Sequence, residues 1–186
     1  MRPLTLTTPK PLLSVGEYRL IEIHIRKLVA AGISDIVINV SYLGQQIIDF
    51  LGDGQRYGAN ITFSIEESPL ETGGAIFKAL PLLGEAPFVL VNGDVWSDVD
   101  YRALTKTDLA GCGDLLKLIF VPNPEHNSAG DFLLSGGRVK QKTPEESDTD
   151  DLSQGVTYSG MALVSPELIS AYPERRDVFA LKEVFD

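Results

Sequence analysis

A lysine held between two prolines is the first feature of this sequence that could do chemistry. Pro9 and Pro11 fix the backbone on either side of Lys10 and so limit where its ammonium group can reach. Phosphoryl chemistry requires preorganised positive charge beside a polyphosphate, and an ion pair at about 4 Å is worth roughly 4 kcal/mol at an effective dielectric of about 20. Lys10 is therefore a candidate phosphate contact, although such a pentapeptide taken alone is more often an ordinary surface turn.

A second candidate lies where an apolar run ends in polar residues. Phe88–Val91 reads as a buried strand that leads directly into Asn92, Gly93 and Asp94. Ligands of open α/β sheets bind at the carboxyl ends of the strands, and a carboxylate there can hold Mg²⁺ together with substrate phosphates. Asn-Gly is also a common tight turn, but the residues after Asp94 do not form a clear returning strand. Asp94 is thus a candidate metal ligand.

The third candidate is a glycine-containing loop between a strand and a helix. In this segment, Ser68–Ala75, Thr72 can cap the helix, and Gly73 and Gly74 allow a ligand close to the backbone. Free N–H groups at a helix start favour an anionic or hydrogen-bonding ligand. A capped loop without a ligand explains the same residues, so this segment gains weight only together with the other two candidates.

The elements that would position these residues alternate between helices and short strands. Helical spacing from Leu20 to Ala31 ends at Gly32, and a β-branched run at Ile36–Val40 indicates a buried strand. The same criteria predict a hairpin around Gly136–Gly137, helices at 45–51, 74–82, 100–104, 166–171 and from 178 onward, and strands at 61–65, 88–91, 115–121 and 156–164. This alternation indicates an α/β fold with a mostly parallel sheet flanked by helices.

Composition is that of an ordinary globular protein. The 186 residues are 44% hydrophobic, which predicts one domain over residues 1–186, and the net charge of −10 argues against non-specific binding to nucleic acid. No apolar stretch approaches the roughly 20 residues that span a bilayer. A single cysteine, Cys112, excludes a disulfide within the chain and predicts a cytoplasmic protein. The acidic segment Thr143–Gln154 is expected to be a solvated loop.

Together, the three candidates resemble the sugar-1-phosphate nucleotidyltransferases. Arg2–Thr5 followed by Pro9–Leu12 resembles the tail of that family's signature, and Leu70–Gly74 and Val91–Trp96 look like the bacterial N-acetylmuramate-1-phosphate uridylyltransferases of the cell-wall (peptidoglycan) recycling route. The resemblance implies a Rossmann-like (GT-A-like) fold. It also implies transfer of a nucleotidyl group from a nucleoside triphosphate, with UTP favoured, to a sugar 1-phosphate, with N-acetylmuramate 1-phosphate favoured, and release of pyrophosphate.

The resemblance further implies roles for individual residues. Lys10 resembles the family lysine that contacts the triphosphate, and Asp94 resembles the aspartate that binds the cofactor Mg²⁺, so these two are the expected catalytic residues. Val139–Lys142 stands where many relatives carry a Glu-Lys-Pro sugar contact, which puts that contact in doubt. The other matches are positions for the nucleotide, Thr72, Gly73, Gly74 and Asn92 beside Lys10, and positions for the sugar, Asp131 and Gly160.

Two parts of the family pattern are not found in this sequence. It begins after the glycine-rich loop of the form L-A-A-G-x-G-x-R and ends before the W-x-D-V-G-T element with the second metal aspartate. The family's first strand, which lies beside Ile36–Val40, is therefore expected to be missing, as is the C-terminal part. We expect an incomplete domain with little turnover, and a gap in its sheet that rearrangement or a neighbouring chain in a homo-oligomer closes.

Several alternative functions are consistent with the same residues. Within the family, the rivals are a mannose-1-phosphate guanylyltransferase and a glucose- or thymidylyl-type transferase. Outside enzymes, the chain could be a non-catalytic relative that binds sugar nucleotides, although Lys10 and Asp94 argue against that reading. His24, on the apolar face of its helix, and His126, in a loop, are not expected to act as bases.

Overall fold

The computed structural model describes residues 3–141 and 154–185, so the predicted acidic loop lies almost wholly outside the described residues. Five short 3-10 turns accompany the regular elements, at Leu4–Leu6, Lys10–Leu12, Gln55–Tyr57, Glu125–Asn127 and Leu181–Phe185. The helices are α1 (Leu20–Ala30), α2 (Gly44–Leu51), α3 (Glu71–Leu83), α4 (Arg102–Thr105), α5 (Leu109–Cys112) and α6 (Pro166–Ser170). The strands are β1 (Ser14–Val15), β2 (Tyr18–Arg19), β3 (Asp35–Val40), β4 (Asn60–Ile65), β5 (Phe88–Val91), β6 (Leu116–Val121), β7 (Phe132–Ser135), β8 (Arg138–Gln141) and β9 (Gln154–Val164).

The first half of the chain folds around an apolar core between α1, α2 and the pair β3–β4. α1 begins where the Glu22 carboxylate accepts a hydrogen bond of 2.8 Å from the Arg19 N–H, and it buries Ile25 to 1% exposure. The two strands pair in parallel, from Asp35 opposite Asn60 to Val40 opposite Ile65. This pairing places the carboxyl ends of β3 and β4 side by side.

The second half is organised around the long strand β9. β5 pairs with it antiparallel, from Phe88 opposite Val164 to Val91 opposite Met161. β6 also pairs antiparallel with β9, from Leu116 opposite Val164 to Val121 opposite Thr157. β7 also pairs with β9, and it forms a hairpin with β8 around Gly136–Gly137, whose positive φ angles of 57° and 77° suit a two-residue turn. The predicted hairpin is confirmed.

The α/β class is confirmed, but the prediction of a mostly parallel sheet is wrong for the described residues. There, β3–β4 is the parallel pair, and the pairs made by β9, the hairpin β7–β8 and the small ribbon β1–β2 are antiparallel. β5 and β6 do run in the same direction, as their helical connection predicts, because each opposes β9. β9 inserts between them, and nothing in its own sequence reveals that direction.

A separate group of buried residues joins α3, α6 and the C-terminal segment. Ile76, Ile169, Phe179 and Leu181 form its centre, and Ile169 is 0% exposed. The helix predicted from residue 178 onward is instead an irregular stretch followed by a 3-10 turn at Leu181–Phe185. Phe179 and Leu181 are both buried in this group although no α-helix carries them, so the spacing of apolar residues was a poor guide to secondary structure here.

A central cavity separates the two halves. β3 and β5 lie at the edges of separate sheets, and a cavity of about 860 Å³ extends between them, lined also by α1 and α3. Among the described residues, no strand pairs with the free edge of β3 or of β5. The expected gap is present, and rearrangement of the described chain does not close it. Within the described ranges, no helix has the length and apolar character needed to cross a membrane.

Candidate active site

The structure brings Lys10 and Asp94 together at the central cavity. Lys10 Nζ lies 3.2 Å from Asp94 Oδ2 although the residues are 84 positions apart in the chain, and both side chains line the cavity. The two side chains are 53% and 39% exposed, so both remain accessible to a ligand. The buried ring of Pro9 precedes the 3-10 turn that begins at Lys10, and the Pro11 ring packs beside Gly93. The proline brace predicted from sequence thus aims the lysine at the strand end that carries the aspartate.

Asn92 and Gly160 are packed against each other at the end of β5. The Asn92 N–H donates a 2.8 Å hydrogen bond to the Gly160 carbonyl, and Asn92 lines the cavity. Gly160 has φ +80°, and a Cβ at that position would lie 2.8 Å from Asn92 Nδ2. Gly160, predicted to contact the sugar, therefore lies behind Asn92 and determines how closely β9 approaches β5.

The glycine loop at the start of α3 faces two ways. Thr72 and Glu71 line the cavity, and Glu71 adopts a left-handed φ of 59°. Gly73 and Gly74 are buried on the opposite side, where a Cβ would lie 2.4 Å from the Phe179 ring and 2.1 Å from the Asp177 carbonyl oxygen, respectively. The structure accounts for this glycine pair by its contact with the C-terminal segment, not with the cavity.

Asp131 lies away from the cavity and has a structural contact of its own. Its carboxylate accepts hydrogen bonds of 2.9 Å from the Tyr158 N–H and 2.8 Å from Asn127 Nδ2. Asp131 is not among the residues that line the cavity. Of the predicted site residues, Lys10, Thr72, Asn92 and Asp94 share the cavity, while Gly73, Gly74, Asp131 and Gly160 support its walls or lie elsewhere.

Sequence reasoning missed Glu66, which also lines the cavity. Glu66 directly follows β4, and its N–H donates 2.8 Å to the Val40 carbonyl at the end of β3. Its carboxylate accepts a 3.3 Å hydrogen bond from the Leu70 N–H at the entry to the glycine loop. The rule that found Asp94, a carboxylate beyond the carboxyl end of a predicted strand, would have found Glu66 as well.

His24 is a second residue whose contacts were not predicted. It is 4% exposed, and its imidazole lies 2.6 Å from the Val95 carbonyl oxygen and 2.8 Å from the Tyr101 hydroxyl. Burial lowers the pKa of His24 below its ordinary 6.5, although the bond to Val95 partly opposes that shift. Burial also raises the pKa of Tyr101 to about 12. Both rings are therefore neutral at physiological pH, and the expectation that His24 is no base stays a prediction.

The site suits a divalent cation only together with a phosphate ligand. The described residues contain no group of three or more His, Cys, Asp or Glu side chains placed to hold a metal. Mg²⁺ is satisfied by one or two carboxylates when substrate phosphates and water complete its shell. Asp94 Oδ2, which already faces the Lys10 ammonium at 3.2 Å, is a carboxylate oxygen open to a cation. A single aspartate of this kind fits Mg²⁺ brought in with a nucleotide.

Comparison with known proteins identifies relatives of this chain. The sequence model of the nucleotidyl transferase family matches residues 1–130. The chain is 45% identical over 172 residues to the N-acetylmuramate alpha-1-phosphate uridylyltransferase of Neisseria meningitidis serogroup B, an alignment that covers 90% of this chain and 71% of that enzyme. It is 40% identical over 109 residues to the mannose-1-phosphate guanyltransferase of Yarrowia lipolytica, covering 57% of this chain and 30% of the relative.

Solved structures share the fold. HddC from Yersinia pseudotuberculosis in complex with GMP-PN superposes with a TM-score of 0.72 at 23% identity, over 93% of this chain and 73% of that one. A UDP-glucose pyrophosphorylase in complex with UDP-glucose superposes with a TM-score of 0.72 at 14% identity, over 99% of this chain and 80% of that one. With the family match and the 45% identity to the Neisseria enzyme, these findings lead to one conclusion: the chain belongs to the sugar-1-phosphate nucleotidyltransferase family.

Proposed function

We propose that this chain transfers a uridylyl group from UTP to N-acetylmuramate 1-phosphate, with release of pyrophosphate. The observation that carries the proposal is the approach of Lys10 Nζ to within 3.2 Å of Asp94 Oδ2 at a cavity of about 860 Å³. A cation and a carboxylate at that distance can act on the same bound polyphosphate. The 45% identity to the Neisseria meningitidis uridylyltransferase supports the choice of base and sugar.

The proposed reaction is an in-line displacement at the α-phosphorus. A phosphate oxygen of the sugar 1-phosphate attacks that phosphorus, a new P–O bond forms, and the bond to the oxygen that bridges the α- and β-phosphates breaks. Pyrophosphate leaves with the electron pair of the broken bond, so no covalent enzyme intermediate is needed. Lys10 stabilises the negative charge that develops on the leaving group, and this electrostatic contribution is the main catalytic role we assign to the chain.

Asp94 has a complementary role. Mg²⁺, when bound with the nucleotide, would neutralise phosphate charge and orient the reacting groups. Asp94 would hold it through Oδ2 and so fix the nucleotide beside β5. The Lys10 ammonium lies 3.2 Å from the same oxygen, so the lysine and a cation held by Asp94 would act on the same phosphates.

Two further polar residues of the cavity suit the nucleoside part. Thr72 and Asn92 line the cavity on the α3 side and the β5 side, respectively, and both offer side-chain hydrogen bonds to a base or ribose. Gly73 and Gly74 act indirectly, because they seat the loop that carries Thr72 on the C-terminal segment. The sugar contacts of Asp131 and Gly160 stay predictions.

The exposed thiol of Cys112 supports a reducing cytoplasmic location for this chain. The edges of β3 and β5 that no described strand covers support pairing with a second chain. Both belong to the proposal. Sedimentation velocity over a hundredfold range of protein concentration tests the second point, since a single unchanging monomer peak contradicts it.

Pyrophosphate release tests the reaction and its specificity. The purified chain is incubated with Mg²⁺ and one of three pairs: UTP with N-acetylmuramate 1-phosphate, GTP with mannose 1-phosphate, or TTP with glucose 1-phosphate. We expect the first pair to give a kcat/KM at least about tenfold above the others, a difference of roughly 1.4 kcal/mol in transition-state binding. Calorimetric titration with each Mg–nucleotide runs in parallel.

The outcomes separate the alternatives. A preference for GTP and mannose 1-phosphate refutes the uridylyl assignment and supports the guanylyl rival suggested by the Yarrowia lipolytica relative. Nucleotide binding without pyrophosphate from any pair refutes catalysis and supports a non-catalytic binder. Absence of both binding and turnover refutes the proposal altogether.

A further inference from the structure

The segment that carries Asp94 has no regular secondary structure. It runs from the end of β5 at Val91 to the start of α4 at Arg102. Its local support is slight: the Val95 N–H donates to the Asn92 carbonyl at 3.3 Å, and the Val99 N–H donates to the Ser97 hydroxyl at 3.0 Å. An irregular segment of this kind holds a side chain in place only if other elements bind its backbone.

β9 binds the start of the segment, where the Asn92 N–H donates to the Gly160 carbonyl at 2.8 Å, and α1 binds the part after Asp94 through two side chains on one face. His24 Nε2 lies 2.6 Å from the Val95 carbonyl oxygen, one residue after Asp94, and Lys27 Nζ donates a 2.7 Å hydrogen bond to the Ser97 carbonyl. His24 and Lys27 are three positions apart and therefore project from adjacent turns of the helix. The two carbonyls that they bind are also neighbours, two residues apart.

Tyr101 completes the hydrogen bonds of the His24 ring. A carbonyl oxygen can only accept, so His24 Nε2 carries the proton and donates to Val95. Nδ1 then accepts from the Tyr101 hydroxyl at 2.8 Å, and Tyr101 is 1% exposed. The Lys27 ammonium lies 5.6 Å from the centre of the Tyr101 ring, within cation–π range. Both imidazole nitrogens are engaged within the protein.

We propose that His24 and Lys27 are positioning residues for the nucleotidyl transfer: they clamp the backbone at Val95 and Ser97 and so hold Asp94 at the cavity. The inference rests on the proposed function, since it concerns the placement of the residue to which that function assigns the metal. Misplacement of a reacting group by about 1 Å can cost on the order of 100-fold in rate. α1 thus contributes to the site although neither side chain touches substrate.

The test compares two variants of His24 with a matched core variant. His24→Leu removes the N–H that binds Val95, whereas His24→Gln keeps an amide N–H at about the position of Nε2. Ile169→Val, in α6 at 0% exposure, gives a moderate loss of stability without touching the segment. Amide hydrogen exchange at Val95 is measured by NMR on the whole chain, together with kcat and KM for pyrophosphate release.

We expect His24→Leu to raise the exchange rate of the Val95 amide at least about tenfold and to lower kcat at least about tenfold, with His24→Gln restoring most of both. If His24→Leu matches Ile169→Val in both measurements, the positioning role is refuted. Lys27→Met keeps the aliphatic stem and serves as the test variant if His24→Leu does not fold, with the same change expected in Val95 exchange. If the wild-type chain shows no turnover, the proposed function fails, but the exchange rates still decide whether α1 clamps the segment.

Discussion

Replacing Lys10 with methionine tests whether its ion pair with Asp94 serves the substrate or the fold. The two side chains are 53% and 39% exposed, and exposed ion pairs of this kind stabilise proteins by about 0.2–1 kcal/mol. Solvent screening places this pair toward the lower end of that range. In a protein of this size, 1 kcal/mol corresponds to about 2–4 °C in Tm. Lys10→Met should therefore lower Tm by less than about 2 °C.

The loss of nucleotide affinity should be much larger. An ammonium about 4 Å from one phosphate charge contributes roughly 4 kcal/mol at an effective dielectric of about 20, and halving that value for the exposure of Lys10 leaves about 2 kcal/mol. This corresponds to about 30-fold in the Kd of Mg–UTP, measured by calorimetry at 0.15 M salt. Turnover should fall further, by about 100-fold, because charge builds up on the leaving pyrophosphate.

The matched control removes the same charge elsewhere. Lys106 follows α4 and does not line the central cavity, so Lys106→Met should leave the Kd of Mg–UTP within about twofold of wild type. The reasoning is refuted if Lys10→Met and Lys106→Met have the same affinity. It is also refuted if Lys10→Met lowers Tm by more than about 5 °C, which exceeds the largest shift, about 4 °C, that a surface pair explains.

Three further predictions follow from the contacts of the site. Asp94→Asn should weaken Mg–UTP binding at least about tenfold but leave UTP binding in EDTA within about twofold by calorimetry; equal losses in both would exclude a metal role. Gly74→Ala should lower the free energy of unfolding in urea by about 1–3 kcal/mol, because its Cβ would lie 2.1 Å from the Asp177 carbonyl oxygen, whereas Gly93→Ala, with its nearest neighbour at 3.7 Å, should cost under about 1 kcal/mol. Below pH 6.5 the unfolded state binds a proton at His24 more readily than the native state, because burial lowers the pKa of His24 in the native state. The free energy of unfolding should therefore fall from pH 7 to pH 5, with a slope of at most about 1.4 kcal/mol per pH unit from this group. His24→Gln should remove that contribution.

The sequence revealed most where short-range chemistry determined structure. The β-branched run at 36–40 is the strand β3, and the apolar run Phe88–Val91 is β5 with the same bounds. Proline stiffness at Pro9 and Pro11 and the end of β5 were enough to single out Lys10 and Asp94, which meet in space. Each of these signals lies within about seven residues, where covalent geometry and burial dominate.

Long-range packing was beyond the reach of that reasoning. The glycines at 73 and 74 were interpreted as space for a ligand, but the neighbour that requires them is the segment around Phe179, more than 100 residues away. The direction of β9 and the missing helix after residue 178 are failures of the same type. A local pattern shows that a residue needs space or burial, and the fold decides what occupies that space.

His24 is an intermediate case. Its place on the apolar face of α1 correctly predicted burial. Its partners, the Val95 carbonyl and the Tyr101 hydroxyl, lie 71 and 77 residues further along the chain, where no spacing rule could find them. The ring nitrogens of a buried histidine need hydrogen-bond partners, and only the tertiary structure identifies them.

Among the described residues, no strand covers one edge of β3 or of β5, and if a second chain pairs there, as proposed above, protein concentration becomes a thermodynamic variable. Each edge presents backbone donors and acceptors that water must satisfy, and an extended segment that enters between them replaces that water with a ladder of hydrogen bonds. By mass action, any such segment raises the free energy of unfolding with the logarithm of its concentration, as a bound ligand does. Under the proposed pairing, the melting temperature of this protein should therefore rise with its concentration.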